Sequence, residues 1–258
     1  MQKTHIKSLV ITGASSGLGL ALAKHYLERG AVVAAIARRA DLLQSLSDHF
    51  PNQLHVYALD VRDAAAMQAT AQDFLARVGA PDLVIANAGV STGTLTEFAG
   101  DLDAFRKVMD INVLGAVQTF QPFIAAMRNA GRGKLVGIGS VAGFRGLPGA
   151  GAYSASKAAL IAYLESLRVE LHGSGVSVAT INPGYIKTAM TNSNPYPMPF
   201  MLEANQAAQR IARVIDSGKS FAVVPWQMGL VGKVLKMLPN WLYDRLFARA
   251  PRKPRQKI

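Results

Sequence analysis

Apolar residues in this chain fall into short unbroken runs. These alternate with longer stretches in which apolar positions recur every three or four residues. The runs cover 8–12, 31–37, 54–59, 83–87, 134–140, 177–182 and 220–225, several of them nearly continuous Val, Ile, Leu and Ala. Such runs are expected of parallel strands covered on both faces. The intervening stretches 17–29, 42–49, 64–78, 102–127, 152–172 and 203–217 carry the helical period. The alternation predicts an α/β protein, a doubly wound parallel sheet with helices on both faces.

The longest apolar run, Ala31 to Ala37, is seven residues, against the roughly 20 that a bilayer-crossing helix needs. The amino-terminal run is shorter and enters a Gly-rich turn, so it reads neither as a signal peptide nor as a span. A cytoplasmic protein is expected, with membrane association confined to the C-terminus. The length of 258 residues suits one domain over 1–225 with an extension over 226–258. Half the residues are hydrophobic and 17% are charged, which excludes a disordered chain. No cysteine is present, which excludes disulfides, thiol catalysis and Cys-ligated metals. The histidines at 5, 25, 49, 55 and 172 are scattered. They offer no ligand spacing, so no metal is expected. His172, at a helix end, suits the helix dipole.

Candidate chemistry begins after the first strand, at Thr12-Gly13-Ala14-Ser15-Ser16-Gly17-Leu18-Gly19. Glycines between a strand and a helix let the backbone approach a pyrophosphate, and the helix N-terminus receives its charge. A second pattern is Tyr153 and Lys157, four residues apart and therefore on one face of a helix. An ammonium near a phenol favours the phenolate, which predicts a lowered tyrosine pKa and a usable proton donor or acceptor. Ser140, thirteen residues before Tyr153, falls at the end of the fifth strand, where open α/β sheets bind ligands. Its hydroxyl could donate to a substrate carbonyl. Strand two ends in Ala37-Arg38-Arg39 with no acid. Arg38, then Arg39, suits a 2′-phosphate, which predicts NADP(H) with NAD(H) as the lesser alternative.

The TGASSGLG turn, Asn87-Ala88-Gly89, Ser140, Tyr153-x-x-x-Lys157 and Pro183-Gly184 together resemble the short-chain dehydrogenase/reductase family over residues 7 to 226. That resemblance implies a single Rossmann-like sheet of about seven strands in the order 3-2-1-4-5-6-7. It implies Ser140, Tyr153 and Lys157 as catalytic residues, with Asn112 anchoring a water chain that reaches the lysine. It places Gly13, Ser15, Ser16, Gly17, Leu18 and Gly19 on the cofactor, Lys157 on the nicotinamide ribose, and Asn87, Ala88 and Gly89 beside it. Asp60 and Val61 then meet the adenine, although Asp60 suits a turn or helix cap equally well. Pro183, Gly184, Ile186 and Thr188 cover the nicotinamide amide. The chain has Gly139-Ser140 where family members commonly carry Ser-Ser.

A substrate loop is expected over about 185–205. Its residues 192–200 hold three prolines, and it offers Tyr185, Tyr196, Met198, Phe200, Met201 and Leu202. An apolar or amphipathic carbonyl or secondary alcohol follows. Beyond it, Leu230, Val231, Val234, Leu235 and Leu238 read as one apolar helical stripe with Lys233 and Lys236 beside it. A second stripe follows over 242–246. The net charge is +12, and residues 245–258 hold six Lys or Arg and no acid, which predicts a disordered tail. No nucleic-acid motif accompanies it. An amphipathic helix with a basic tail suits packing within the protein or oligomer, or a membrane surface. Ala155, Ala158, Ala159 and Ala162 line the Tyr153 helix, and the resemblance implies a homodimer or tetramer through it. Two other readings compete with an NADP(H)-dependent oxidoreductase. One is a non-catalytic dinucleotide-binding or redox-sensing protein, and the other a peripheral membrane reductase of lipid-like ketones.

Overall fold

The structure, a computed structural model, describes residues 6–39, 41–192 and 194–255. Its main sheet has seven strands, all pairs parallel, in the order β3-β2-β1-β4-β5-β6-β9. The strands are β1 (Ser8–Thr12), β2 (Val32–Ala37), β3 (Leu54–Ala58), β4 (Leu83–Ala86), β5 (Gly133–Ile138), β6 (Val176–Pro183) and β9 (Phe221–Val224). Two-residue strands β7 (Ile186–Lys187) and β8 (Leu202–Glu203) form a separate ribbon. The expected order therefore holds, with the seventh strand of the sheet numbered β9.

Strand β2 shows why the runs are continuous. Its Val33, Ala35 and Ala37 face one core, while Ala34 and Ile36 face the other. The first core is closed by α1 (Gly17–Leu27) and α7 (Ala204–Asp216), through Leu22, Tyr26, Ile211 and Ile215. The second is closed by α3 (Ala64–Val78), α5 (Gly115–Asn129) and α6 (Gly151–Glu170), through Phe74, Phe120, Phe123, Leu160 and Leu164. The short α2 (Gln44–His49) precedes β3. Each fully buried Leu or Phe contributes about 1.5–3 kcal/mol of apolar transfer. Leu160, Leu164, Leu167 and Leu171 form an apolar stripe buried throughout, and Gly173 takes a positive φ of 77° just beyond it.

Three expectations are corrected. The helix predicted over 102–127 is α4 (Asp101–Met109), then one π-helical turn (Asp110–Leu114), then α5. The single stripe at the C-terminus is divided between two faces of α8 (Trp226–Met237). Of its members Leu230 and Val234 are 55% and 59% exposed, while Val231 and Leu235 are half-buried beside the buried Met228 and Gly232, which the stripe does not include. A further helix, α9 (Asn240–Phe247), follows Pro239. The tail is ordered as far as Arg255, and its last residues, Gln256, Lys257 and Ile258, lie outside the described residues.

Candidate active site

One cleft opens at the carboxyl ends of β1, β4, β5 and β6. At one end lies the turn between β1 and α1. Gly13 and Gly17 take φ of 68° and 55°, which glycine adopts without strain. A Cβ on Gly19 would lie 2.2 Å from the Gly13 carbonyl oxygen. The turn therefore needs hydrogen at that position. Ser16 makes no side-chain cap, and the first turn of α1 holds no acid. The N-terminal N–H groups and the positive end of the dipole thus face the cleft, which fits a pyrophosphate. Asn87 fixes the turn to β4: its Nδ2 donates to the Thr12 carbonyl at 2.9 Å, and the Thr12 hydroxyl accepts from the Asn87 and Ala88 N–H groups.

Gly13, Ser15, Ser16, Gly17, Leu18, Gly19, Arg38, Arg39, Asp60, Val61, Asn87, Ala88 and Gly89 all border this cleft. So do Ser140, Tyr153, Lys157, Pro183, Gly184, Ile186 and Thr188. Of the predicted catalytic and cofactor residues, Asn112 alone is missing from its wall, and the substrate-loop candidates of residues 185 and 196–202 do not line it. Arg38 is largely exposed, with Nη1 at 3.9 Å from the Asp60 carboxylate. Arg62 grips that carboxylate through two side-chain bonds, and this holds Asp60 below the usual carboxylate range. Both of its oxygens thus serve the turn before α3, and Asp63 caps that helix through Ala66 N–H.

The catalytic candidates meet at the other end. Ser140 follows β5 in extended conformation. Its N–H donates to Asn182 Oδ1 at 3.2 Å, and its Oγ accepts from the Ala142 N–H at 3.1 Å. Gly139 is explained by the same partner, since a Cβ there would lie 2.2 Å from Asn182 Oδ1. A serine there, as in the family's common Ser-Ser pair, would require the Asn182 amide to shift. Lys157 is buried, and its Nζ donates to the Ile138 carbonyl at 2.7 Å. The ammonium lies 5.8 Å from the Tyr153 ring centre. Burial pulls Lys157 down to about 8. The expected lowering of Tyr153 is not the net direction in this state. Burial pushes the phenol up, and the Ser140 hydroxyl, rather than the lysine, works against that.

Asn112 sits in the π-helical turn, fully buried. Its Oδ1 accepts from Val90 N–H, and its Nδ2 donates to the Val90 carbonyl and to Ser156 Oγ. The Asn112 side chain thus holds the loop after β4 against α6. Its burial and partners also explain an asparagine inside a helix. Single π turns are frequent at functional sites.

Around the substrate side, Tyr185 and Tyr196 have ring centres 6.4 Å apart. Burial first, then Tyr185 and Tyr153, pushes Tyr196 up to about 12. Met198 Sδ accepts a bond from Asn194 within the loop, and Ser193 lies outside the described residues. Phe200 and Met201 are exposed. Leu202 is withdrawn as a substrate candidate: it is buried in the core and pairs with Ile186.

Several contributors carried no sequence signal. Asn182 and Ser156 act through partners 42 and 44 residues away. The tail contributes a strap. Lys253 is buried and donates to Ser91 Oγ at 3.0 Å and to the carbonyl of Met190, a cleft residue. Gly93 N–H donates to the Pro254 carbonyl at 3.1 Å. Arg255 forms a bidentate pair with Asp101 at 2.8 and 2.9 Å and lies over the Phe98 ring. These partners, lone residues spread over three segments, form no motif, which is why the basic run reads as a solvated tail.

The comparisons with known proteins agree with this geometry. The family model described as short chain dehydrogenase matches residues 7–197. A relative from Myxococcus xanthus, named only as an uncharacterized oxidoreductase, is 40% identical over 95% of this chain and 97% of its own length. A 2-dehydro-3-deoxy-L-rhamnonate dehydrogenase (NAD(+)) of Sphingomonas is 36% identical over 81% of this chain and 83% of its own. A short chain dehydrogenase from Burkholderia cenocepacia, solved in complex with NADP, superposes with a TM-score of 0.82 at 26% identity. That match covers 95% of this chain and 99% of the other. With its parallel sheet, its glycine turn and the Ser140, Tyr153 and Lys157 cluster in one cleft, this chain belongs to the short-chain dehydrogenase family of oxidoreductases.

Proposed function

We propose that the protein is an NADP(H)-dependent oxidoreductase acting on a carbonyl or secondary alcohol of an apolar or amphipathic substrate. The observation that carries the reading is the meeting of Ser140, Tyr153 and Lys157 in the cleft that begins at the glycine turn. The residues at the glycine turn fit the cofactor pyrophosphate, and the nicotinamide, when bound, supplies or takes the hydride. In the reducing direction, the Ser140 hydroxyl donates to the substrate carbonyl oxygen and stabilises its growing negative charge. Tyr153 Oη gives its proton to that oxygen; in the oxidising direction it takes the proton back. Burial keeps the phenol protonated, a form suited to proton donation. Lys157 orients the ribose hydroxyls, and its charge favours the phenolate as the proton leaves. The apolar side of the substrate is assigned to the Tyr185 and Tyr196 pair, whose ring centres lie 6.4 Å apart.

The test is absorbance of NADPH in the presence of a panel of medium-chain and lipid-like ketones. Tyr153→Phe is expected to lower kcat by about 10²–10⁴ while leaving cofactor affinity nearly unchanged. Unchanged turnover would overturn the mechanism. A protein that binds cofactor and turns over no ketone or alcohol would be a dinucleotide-binding module instead.

Arg38 is the proposed 2′-phosphate ligand, with Arg39 beside it. Both line the cleft beyond Ala37, and the end of strand two carries no acid of its own to bind a 2′-hydroxyl, the Asp60 carboxylate nearby being held by Arg62. Arg38→Ala is expected to weaken NADPH binding by roughly tenfold or more and to leave NADH binding unaltered, measured by fluorescence titration. Equal losses for both cofactors would remove the assignment. A homo-oligomer is proposed on the exposed Leu102, Phe105 and Leu114 of the α4–α5 region, with Ala155, Ala158 and Ala162 exposed on α6.

A further inference from the structure

We infer that the outer face of α8 and the start of α9 form a docking surface for an anionic lipid bilayer. Trp226, Leu230, Val234 and Met237 follow one another at spacings of four, four and three residues, which keeps them on one side of the helix. They are 67%, 55%, 59% and 83% exposed. Trp241 continues the face onto α9 at 69%. Isolated exposed apolar residues are ordinary, but a continuous face with a tryptophan near each end is not.

The opposite side of α8 fixes this face outward. Gly232 is buried where a Cβ would strike the Phe144 ring, and Met228 packs on Gly184. Arg145 donates to the Leu235 and Leu238 carbonyls and to Asn240 Oδ1, and Tyr243 donates to the Gly146 carbonyl. The helix pair is thus bound to the 144–146 segment, and its apolar side cannot turn inward without breaking these contacts.

Charge selects the occupant. Lys233, Lys236, Arg245 and Arg249 are exposed around the face, and Asp244 is the only acid in residues 226–249. A second copy docked on the same face would set these cations against their own counterparts. Anionic headgroups would meet them favourably while Trp, Leu and Met enter the acyl boundary. At twelve residues α8 lies along such a surface, and among the described residues no helix is long and apolar enough to cross one. The inference does not depend on the catalytic reading.

The experiment uses the full chain and vesicles of phosphatidylcholine, alone or with phosphatidylglycerol in equal parts. The two tryptophans of the chain are Trp226 and Trp241, so intrinsic tryptophan emission reports on this face alone. Co-sedimentation and a blue shift are expected with the anionic vesicles only. Lys233→Glu with Lys236→Glu is expected to weaken partitioning by at least about tenfold. Met237→Ser, at a position too exposed to support the fold, is expected to weaken it several-fold. Absence of binding, or binding that neither variant weakens, would overturn the inference. A dimer seen in sedimentation equilibrium and lost on Met237→Ser would assign the face to a second copy and would equally overturn it.

Discussion

Lys157 shows how a buried side chain carries a cost that pH can remove. Its amine is drawn down to about 8 by burial, whereas an unfolded lysine titrates near 10.4. Below the folded value both states hold the proton, and the cost of burying the charge is present in full. Between about 8 and 10.4 the folded state releases a proton that the unfolded state keeps, so this residue's contribution improves as pH rises. The urea midpoint of the wild type should therefore gain on that of Lys157→Met between about pH 7 and about pH 10. A constant difference would show that burial does not perturb the amine. The same residue shows what a sequence makes legible. Tyr153 and Lys157 announce themselves because four residues bring them together on one helix. Ser140 is readable from its place at a strand end. Asn182 is not, because its role is to hold the Ser140 N–H from the neighbouring strand. The direction of the Tyr153 shift was also beyond spacing alone, because it is decided by burial rather than by the nearest charge.

At the level of elements, strands were legible because burial on both faces makes them continuous, as the alternating cores of β2 illustrate. The split between α4 and α5 was not, since one π-helical turn barely disturbs an apolar period. The stripe on α8 misled for a different reason: apolar residues on both sides of a helix do not say which side is covered. The β1–α1 turn is the element whose requirement is sharpest. A methyl group on Gly19 would press on the Gly13 carbonyl and displace the N–H groups that face the cleft. Gly19→Ala is expected to reduce dinucleotide binding by more than about tenfold in a titration, because charge-assisted bonds of about 1.5–3 kcal/mol each are lost together. Retained binding would mean that the turn relaxes without consequence.

Over the whole molecule, the +12 charge is not simply spread on a free tail. Part of it binds the C-terminal segment to the domain, through Lys253 and through Arg255 on the buried Asp101. Arg255 holds the Asp101 carboxyl below its ordinary range. The stabilisation from this pair is therefore present above the ordinary carboxylate pKa and is lost as pH falls through the depressed one. A chain ending at Ala250 should melt at a lower temperature than the full chain near neutrality. The gap should narrow as pH falls below about 4, where the unfolded Asp101 begins to take up a proton that Arg255 keeps off the folded full chain. Equal melting temperatures at neutral pH would show that the segment is not bound in solution. The strap also has a practical meaning. Residues 252–255 join the loop after β4 to the cleft wall at Met190. A purification tag or fusion partner joined directly behind Arg255 would start at its pair with Asp101 and load this clasp. Activity measured on such a hybrid would understate that of the untagged enzyme.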